Sequence, residues 1–317
     1  MSRKIVYAIL CTTLSLGVVA LAEPSFTYTQ INIPGALSTS ASGINARGAV
    51  VGAYVDSLGQ HGYLLNDDGF MSIDYPGATA TQARSINHRG DIVGTHQGRD
   101  LHTPGSGGDI HGFLLRKGDF TAVDYPGHMN TITQRITSTG LIFGCYHDHD
   151  TMQSMHGILI NERDDQRGER RGEADERERS DDSNPRFNFL DVPASMNNGG
   201  TPDGELIAGL YTDMMGKTHG YTLRDGHLTP FDVPGSISTS AWDMNPSGEV
   251  VGVYVDAGTH VHGFLLRHGA LVTLDYPGAR ATQAFGINPQ GDVVGTYVDA
   301  VGHTYGFLLS GTRHPGE

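Results

Sequence analysis

The 317-residue chain has a formal net charge of −14, only 18% charged residues and 44 glycines. That charge excludes a nucleic-acid backbone or an anionic membrane surface as an electrostatically attracted partner. Glycine this abundant, with no collagen-like period, points to many tight turns in a large β domain.

The first predicted element is a leader. Arg3 and Lys4 precede an apolar run over 5–19, and Ala20-Leu21-Ala22 offers small residues before Glu23. Residues 1–22 therefore read as a secretory signal peptide, leaving 23–317 as a single domain, secreted or periplasmic. The run is short for a spanning helix and no later stretch is apolar enough, so no membrane span is expected after cleavage. Cys145 is then the only thiol, so packing rather than a disulfide framework must hold the domain together.

From residue 26 onward one phrase repeats. It runs apolar-x-x-x-Asp-x-Pro-Gly, then Thr-rich residues, then Ile-Asn-x-x-Gly-x-Val-Val-Gly-x-Tyr-x-Asp, then His-Gly-Phe-Leu-Leu. Its Pro recurs as Pro34, Pro76, Pro126, Pro193, Pro234 and Pro277. The interval from Pro34 to Gly52 returns from Pro76 to Gly94, Pro126 to Gly144, Pro234 to Gly252 and Pro277 to Gly295; the Pro193 copy reaches Gly209 two residues early.

Each copy divides into four short strands. The first carries Ser42-Gly43-Ile44 or Phe285-Gly286-Ile287 and turns at Asn45-Ala46-Arg47-Gly48 or Asn288-Pro289-Gln290-Gly291. Asn first and Gly fourth suit a type I turn, with the Asn side chain bonding back to the backbone. The second strand, Val-Val-Gly-x-Tyr-x, ends in an Asp-led turn at Asp56, Asp213 or Asp299. The third is Gly62-Tyr63-Leu64-Leu65 and its copies, and the fourth runs over 70–75, 120–125 or 271–276 into Pro-Gly. A period of about 42 residues with four strands is the signature of a β-propeller. The chain also starts with a lone fourth strand over 26–33 and ends with strands one to three. Pairing the two fragments would hide both edges. The reading is all-β: a six-bladed β-propeller of four-stranded blades, closed by the N-terminal strand on the C-terminal three, and a monomer.

The motifs His-Gly-Phe-Leu-Leu, Asp-Tyr-Pro-Gly-Ala and Gly-Ile-Asn-x-x-Gly-x-Val-Val-Gly resemble those of the bacterial HAF-type extracellular repeat family, over about residues 26–310. The resemblance implies an extracellular or envelope protein and carries no catalytic residue and no defined ligand. Copy four (Pro193-Ala194, no Ile-Asn) and copy three (Ile136-Thr137) depart most from the pattern.

Loops between strands two and three share one face with the Pro-Gly links; the other two hairpins share the opposite face. Insertion 97–109 enlarges a two-to-three loop on the first face. Insertion 162–186, nearly all Glu, Asp, Arg, Gly and Ser, is expected to be disordered on the second. His61, His111, His156, His219 and His262 precede the Gly of strand three, and each is expected to bond its own blade's backbone rather than share a metal, since equivalent positions lie far apart on a ring. Asp74, Asp124, Asp191, Asp232 and Asp275 are expected to accept bonds from the Pro-Gly turn.

One segment departs chemically: His147-Asp148-His149-Asp150, with His156 across the hairpin. There His147, His149, Asp148 and His156 offer nitrogen and oxygen ligands for a divalent metal. Otherwise no cofactor and no catalytic residue is indicated; nucleophile-elbow, P-loop and zincin motifs are absent from the sequence. On the Pro-Gly face, Thr81-Gln82, Thr133-Gln134 and Thr282-Gln283 are candidates to line the channel mouth and bind glycan or protein. The leading reading is a non-catalytic binding or scaffold module. A metal-assisted carbohydrate-active hydrolase or lyase, and a structural envelope protein, are the alternatives.

Overall fold

The computed structural model describes residues 26–98, 109–148, 155–161 and 187–311, without the side chains of 187–193. The leader 1–22, the charged insertion 162–186, most of 97–109 and His149 lie outside the described residues.

The described residues form twenty-four strands and no helix. After β1 (Phe26–Ile31) comes a first antiparallel set: β2 (Ser38–Ile44), β3 (Val50–Val55), β4 (Gln60–Asn66) and β5 (Gly69–Ile73). The second is β6 (Ala80–Ile86), β7 (Ile92–Gln97), β8 (Ile110–Arg116) and β9 (Asp119–Val123). The third is β10 (Asn130–Ile136), β11 (Leu141–His147), β12 (His156–Asn161) and β13 (Phe187–Pro193). The fourth is β14 (Ser195–Gly200), β15 (Leu206–Thr212), β16 (Thr218–Arg224) and β17 (His227–Phe231). The fifth is β18 (Ser238–Met244), β19 (Val250–Val255), β20 (Val261–Arg267) and β21 (Ala270–Leu274). The last three strands are β22 (Ala281–Ile287), β23 (Val293–Val298) and β24 (Thr304–Gly311), and β1 pairs antiparallel with β24. Each first strand packs against the next, and β2 packs against β22, β23 and β24.

The glycine of Val-Val-Gly has a steric reason. In every set the first strand carries a β-bulge directly after the residue facing this glycine, as at Ala41/Gly43 opposite Gly52. The bulge bends that backbone inward. A Cβ on Gly52 would strike the Ser40 carbonyl and come within 2.8 Å of the Tyr63 ring; on Gly295 it would come within 2.7 Å of Phe307. The cross-strand aromatic, Tyr63, Phe113, Tyr221, Phe264 or Phe307, fills the space over the glycine and is fully buried. In the third set Ile158 replaces the ring.

The turns follow their sequence signature. Gly48 N–H donates to the Asn45 carbonyl (3.0 Å) at φ +81°, while Asn45 Oδ1 accepts from Arg47 and Ala49 N–H groups at 2.9 and 3.1 Å. The Asn amides also tie neighbouring sets: Asn45 Nδ2 donates to the Asn87 carbonyl at 3.1 Å, and Asn288 Nδ2 to the Asn45 carbonyl at 3.4 Å. Where Pro-Gly becomes Pro193-Ala194, Ala194 keeps the left-handed backbone (φ +56°), a conformation that costs an alanine about 1 kcal/mol.

Candidate functional site

The first strands β2, β6, β10, β14, β18 and β22 pack each on the next, and β22 on β2, around a shared space, the channel. Along them the positions of Ala41, Ala83, Thr133, Asn197, Ala241 and Ala284 are buried against the adjacent set. The position after the bulge holds Gly43, Ser85, Gly199 and Gly286 in four strands but Arg135 and Asp243 in the other two. Arg135 crosses the channel. Its Nε lies 3.0 Å from Asp243 Oδ1, its Nη1 donates to the Arg84 carbonyl at 2.7 Å, and its Nη2 donates to the Phe285 carbonyl. Asp243 also accepts from Met244 N–H (2.9 Å) and Ile287 N–H (3.0 Å). Burial pushes the Asp243 carboxyl up, and Arg135 beside it pulls it back. A side chain on Gly199 would come within 2.7 Å of Asp243 Oδ1, so glycine there makes room for the pair.

This ion pair floors a cup of about 370 Å³ on the Asn-turn face, walled by Ile44, Ile86, Ile136, Met244 and Ile287 and rimmed by Asn, Pro and His88. On the opposite, Pro-Gly face a smaller pocket of about 190 Å³ holds Gln82, Arg84, Thr95 and Gln97.

The threonines expected to line that mouth have another task. Thr81 and Thr282 are buried, and their Oγ1 atoms accept from the N–H groups of Tyr75 (3.0 Å) and Tyr276 (2.9 Å) in the link from the preceding set. Thr39, Thr131 and Thr239 make the same latch. Strand pairing gives Thr131-Ile132, not Thr133-Gln134, as the counterpart of Thr81-Gln82. Thr133 donates to the Gly94 carbonyl at 2.6 Å and Gln134 accepts from Arg84, so both are buried in the channel wall. Gln82 and Gln283 are the two members of the set that remain partly exposed.

Further out, the repeated histidines bond to carboxylates rather than to backbone. Nδ1 of His61, His111, His219 and His262 lies 2.7–3.1 Å from Asp74, Asp124, Asp232 and Asp275. The turn N–H expected to bind those acids is already taken by the threonine latch. The far side of the ring meets a second acid: His61 Nε2 lies 3.3 Å from Asp56, and His219 Nε2 lies 3.3 Å from Asp213. The rings stack on Tyr54 and Tyr211 at 5.1 Å. The bond to Asp74 raises the His61 pKa. Backbone bonds hold Asp56, Asp213 and Asp256 below the usual carboxylate range, Asp256 at about 2. The Asp-led turns thus match their sequence reading.

Of the candidate metal ligands, His149 lies outside the described residues, and the described His147 and His156 are not brought together. His156 pairs across the ladder with Tyr146 and stacks on it at 5.0 Å, whereas His147, one residue on, faces the other side of the sheet and is buried. Asp148 receives Met129 N–H and approaches His128 Nδ1 at 2.9 Å. Among the described residues no group of three or more His, Cys, Asp or Glu is arranged to hold a metal ion. Arg135, Asp243 and Arg84 are the site residues that motif reading missed. Their signal was charge in columns that other copies fill with small or neutral residues.

No protein-family model matches the chain, and no curated protein matches it. Among solved structures, a putative TolB from Agrobacterium tumefaciens is similar over 92% of this chain and 100% of its own, at 13% identity and TM-score 0.54. The β-propeller domain of the Trilobed protease from Pyrococcus furiosus aligns over 89% of this chain and 95% of its own (11% identity, TM-score 0.49). A gluconolactonase from Xanthomonas campestris aligns over 92% and 96% (13% identity, TM-score 0.47). The repeated four-stranded antiparallel sets and the overlap with the TolB-like structure define the class as the β-propeller, a scaffold shared by proteins of varied function. Among the described residues no helix is long and apolar enough to cross a membrane.

Proposed function

We propose that the six strand sets are the blades of a closed six-bladed propeller of the HAF repeat type, exported from the cell, and that it is a non-catalytic protein-binding module using its Pro-Gly face. The observation that carries this reading is where apolar surface is left uncovered. Of ten exposed large hydrophobic side chains among the described residues, seven lie in the two-to-three loops or the Pro-Gly links: Leu37, Leu58, Met129, Met214, Met215, Ile237 and Val301. Met214 and Met215 are essentially fully exposed. Apolar tips gathered on one face suit a protein contact, and methionine adapts to varied partner shapes. Between the tips stand Asp56, Asp213, Asp256 and Asp299, whose lowered pKa values keep them ionised. The partner this chemistry fits is a basic segment with bulky apolar side chains.

The test is selection from a displayed random-peptide library, alongside a glycan array. Peptides combining Lys or Arg with Leu, Phe or Trp are expected, binding at least tenfold more weakly to Met214→Asp/Met215→Asp. Both positions are solvent-exposed, so folding should change little. Glycan binding without peptide binding, or peptides indifferent to the double variant, would overturn the reading.

A further inference from the structure

Beyond the partner face, the channel holds an unbalanced charge. Arg84 extends from β6 toward the Pro-Gly mouth. Its Nε donates to Thr95 Oγ1 at 3.3 Å and its Nη1 to Gln134 Oε1 at 3.0 Å. Its Nη2 has no hydrogen-bond partner among the described residues, and Arg84 lines the 190 Å³ pocket. No carboxylate among the described residues pairs with it. Asp243, the acid in the channel, is committed to Arg135, two backbone N–H groups and the cup floor. The nearby Cys145 thiol is buried and pushed up to about 12, so it stays neutral and compensates nothing. Burial, with repulsion from Arg135, draws the Arg84 guanidinium down to about 10, which still leaves it charged at neutral pH. A chain with net charge −14 therefore carries an uncompensated cation at the inner end of a polar pocket.

The neighbours are neutral hydrogen-bonding groups. Gln82 and the bulge residue Arg84 both line this pocket; Thr95 is the cross-strand partner of Gln82, and Gln97 shares the face of Thr95 on β7. A guanidinium beside amides and a hydroxyl matches a planar oxyanion with further polar substituents. The volume is below the usual range for drug-sized ligands, about 300–1,000 Å³. We propose that Arg84, with Gln82, Thr95 and Gln97, forms a binding site for a small organic carboxylate in the Pro-Gly mouth of the channel. The site is distinct from the exposed apolar tips, so Met214→Asp/Met215→Asp should leave it intact.

The experiment is calorimetric titration of the purified protein with acetate, lactate, succinate and inorganic phosphate, with chloride as the reference anion. At least one carboxylate should bind, and Arg84→Gln should weaken it about ten- to hundredfold, the range for a charge-assisted bond. Gln82→Glu places an internal carboxylate one strand repeat from Arg84. It should abolish ligand binding while raising the thermal midpoint, an outcome that a merely misfolded variant would not give. Absence of carboxylate binding at millimolar concentration, affinity unchanged in Arg84→Gln, or binding of phosphate alone would each overturn the proposal.

Discussion

The two mouths of the channel are lined by the same six strands and treat charge in opposite ways. At the Asn-turn mouth, Arg135 and Asp243 neutralise one another beneath an apolar cup, and backbone groups take up their remaining hydrogen-bonding capacity. At the Pro-Gly mouth, Arg84 has neutral partners only, and the rim beyond it carries exposed methionines, acids and histidines. A compensated pair braces the first strands of distant sets. An uncompensated charge is held in place by the scaffold and contributes little to it, as expected of a group kept for a ligand.

Substitutions of similar size should therefore have different consequences at the two mouths. Asp243→Ala strands Arg135 in the channel, and urea denaturation should show a loss of about 3–5 kcal/mol. Arg84→Gln removes a partly buried charge with no counter-ion and keeps an amide near Thr95 and Gln134. Its unfolding free energy should stay within about 1 kcal/mol of the parent. Equal losses at both positions would erase the distinction. The next effect concerns the latch rather than the charge: Thr282→Val preserves shape but leaves the Tyr276 N–H without its acceptor, at about 1–2 kcal/mol by the same assay.

The smallest effects belong to the exposed rim, read from thermal midpoints across pH. The Asp256 carboxyl is lowered to about 2, chiefly by the His260 N–H. Its stabilisation is present above pH 3.8 and lost as pH falls toward 2. His61 is raised above 6.5, chiefly by Asp74, so its stabilisation is complete below pH 6.5 and lost as pH climbs through the raised value. Asp256→Asn should flatten the acid limb and His61→Gln the alkaline one, each slightly, because exposed pairs are weak. A large shift from either would show the rim to be structural.

Most of the scaffold was legible because it repeats. The Asn-led turns, the four strands per copy and the pairing of first and last strands all follow from positions that recur at fixed intervals. The threonine register was legible too: Thr39, Thr81, Thr131, Thr239 and Thr282 each stand at the same distance after their Pro. Matching the dipeptide Thr-Gln instead selected Thr133-Gln134, two residues late. The histidines were legible as a repeated feature but not in their partners, since Asp74 and His61 meet only once β4 and β5 pair. Arg135 and Asp243 were the hardest to read, because a repeat search rewards likeness and these two matter where they break it.

One feature of the pairing bears on how the molecule comes into being. β1 finds its ladder partner in β24, at the far end of the described chain. The earliest of these strands to be synthesised is thus among the last to be satisfied, and it must wait with a bare edge while everything between is made. Premature docking of that strand on the edge of a second chain would yield swapped chains. Dilution, which lets both ends meet in the same molecule, should therefore raise the yield of unswapped protein on refolding.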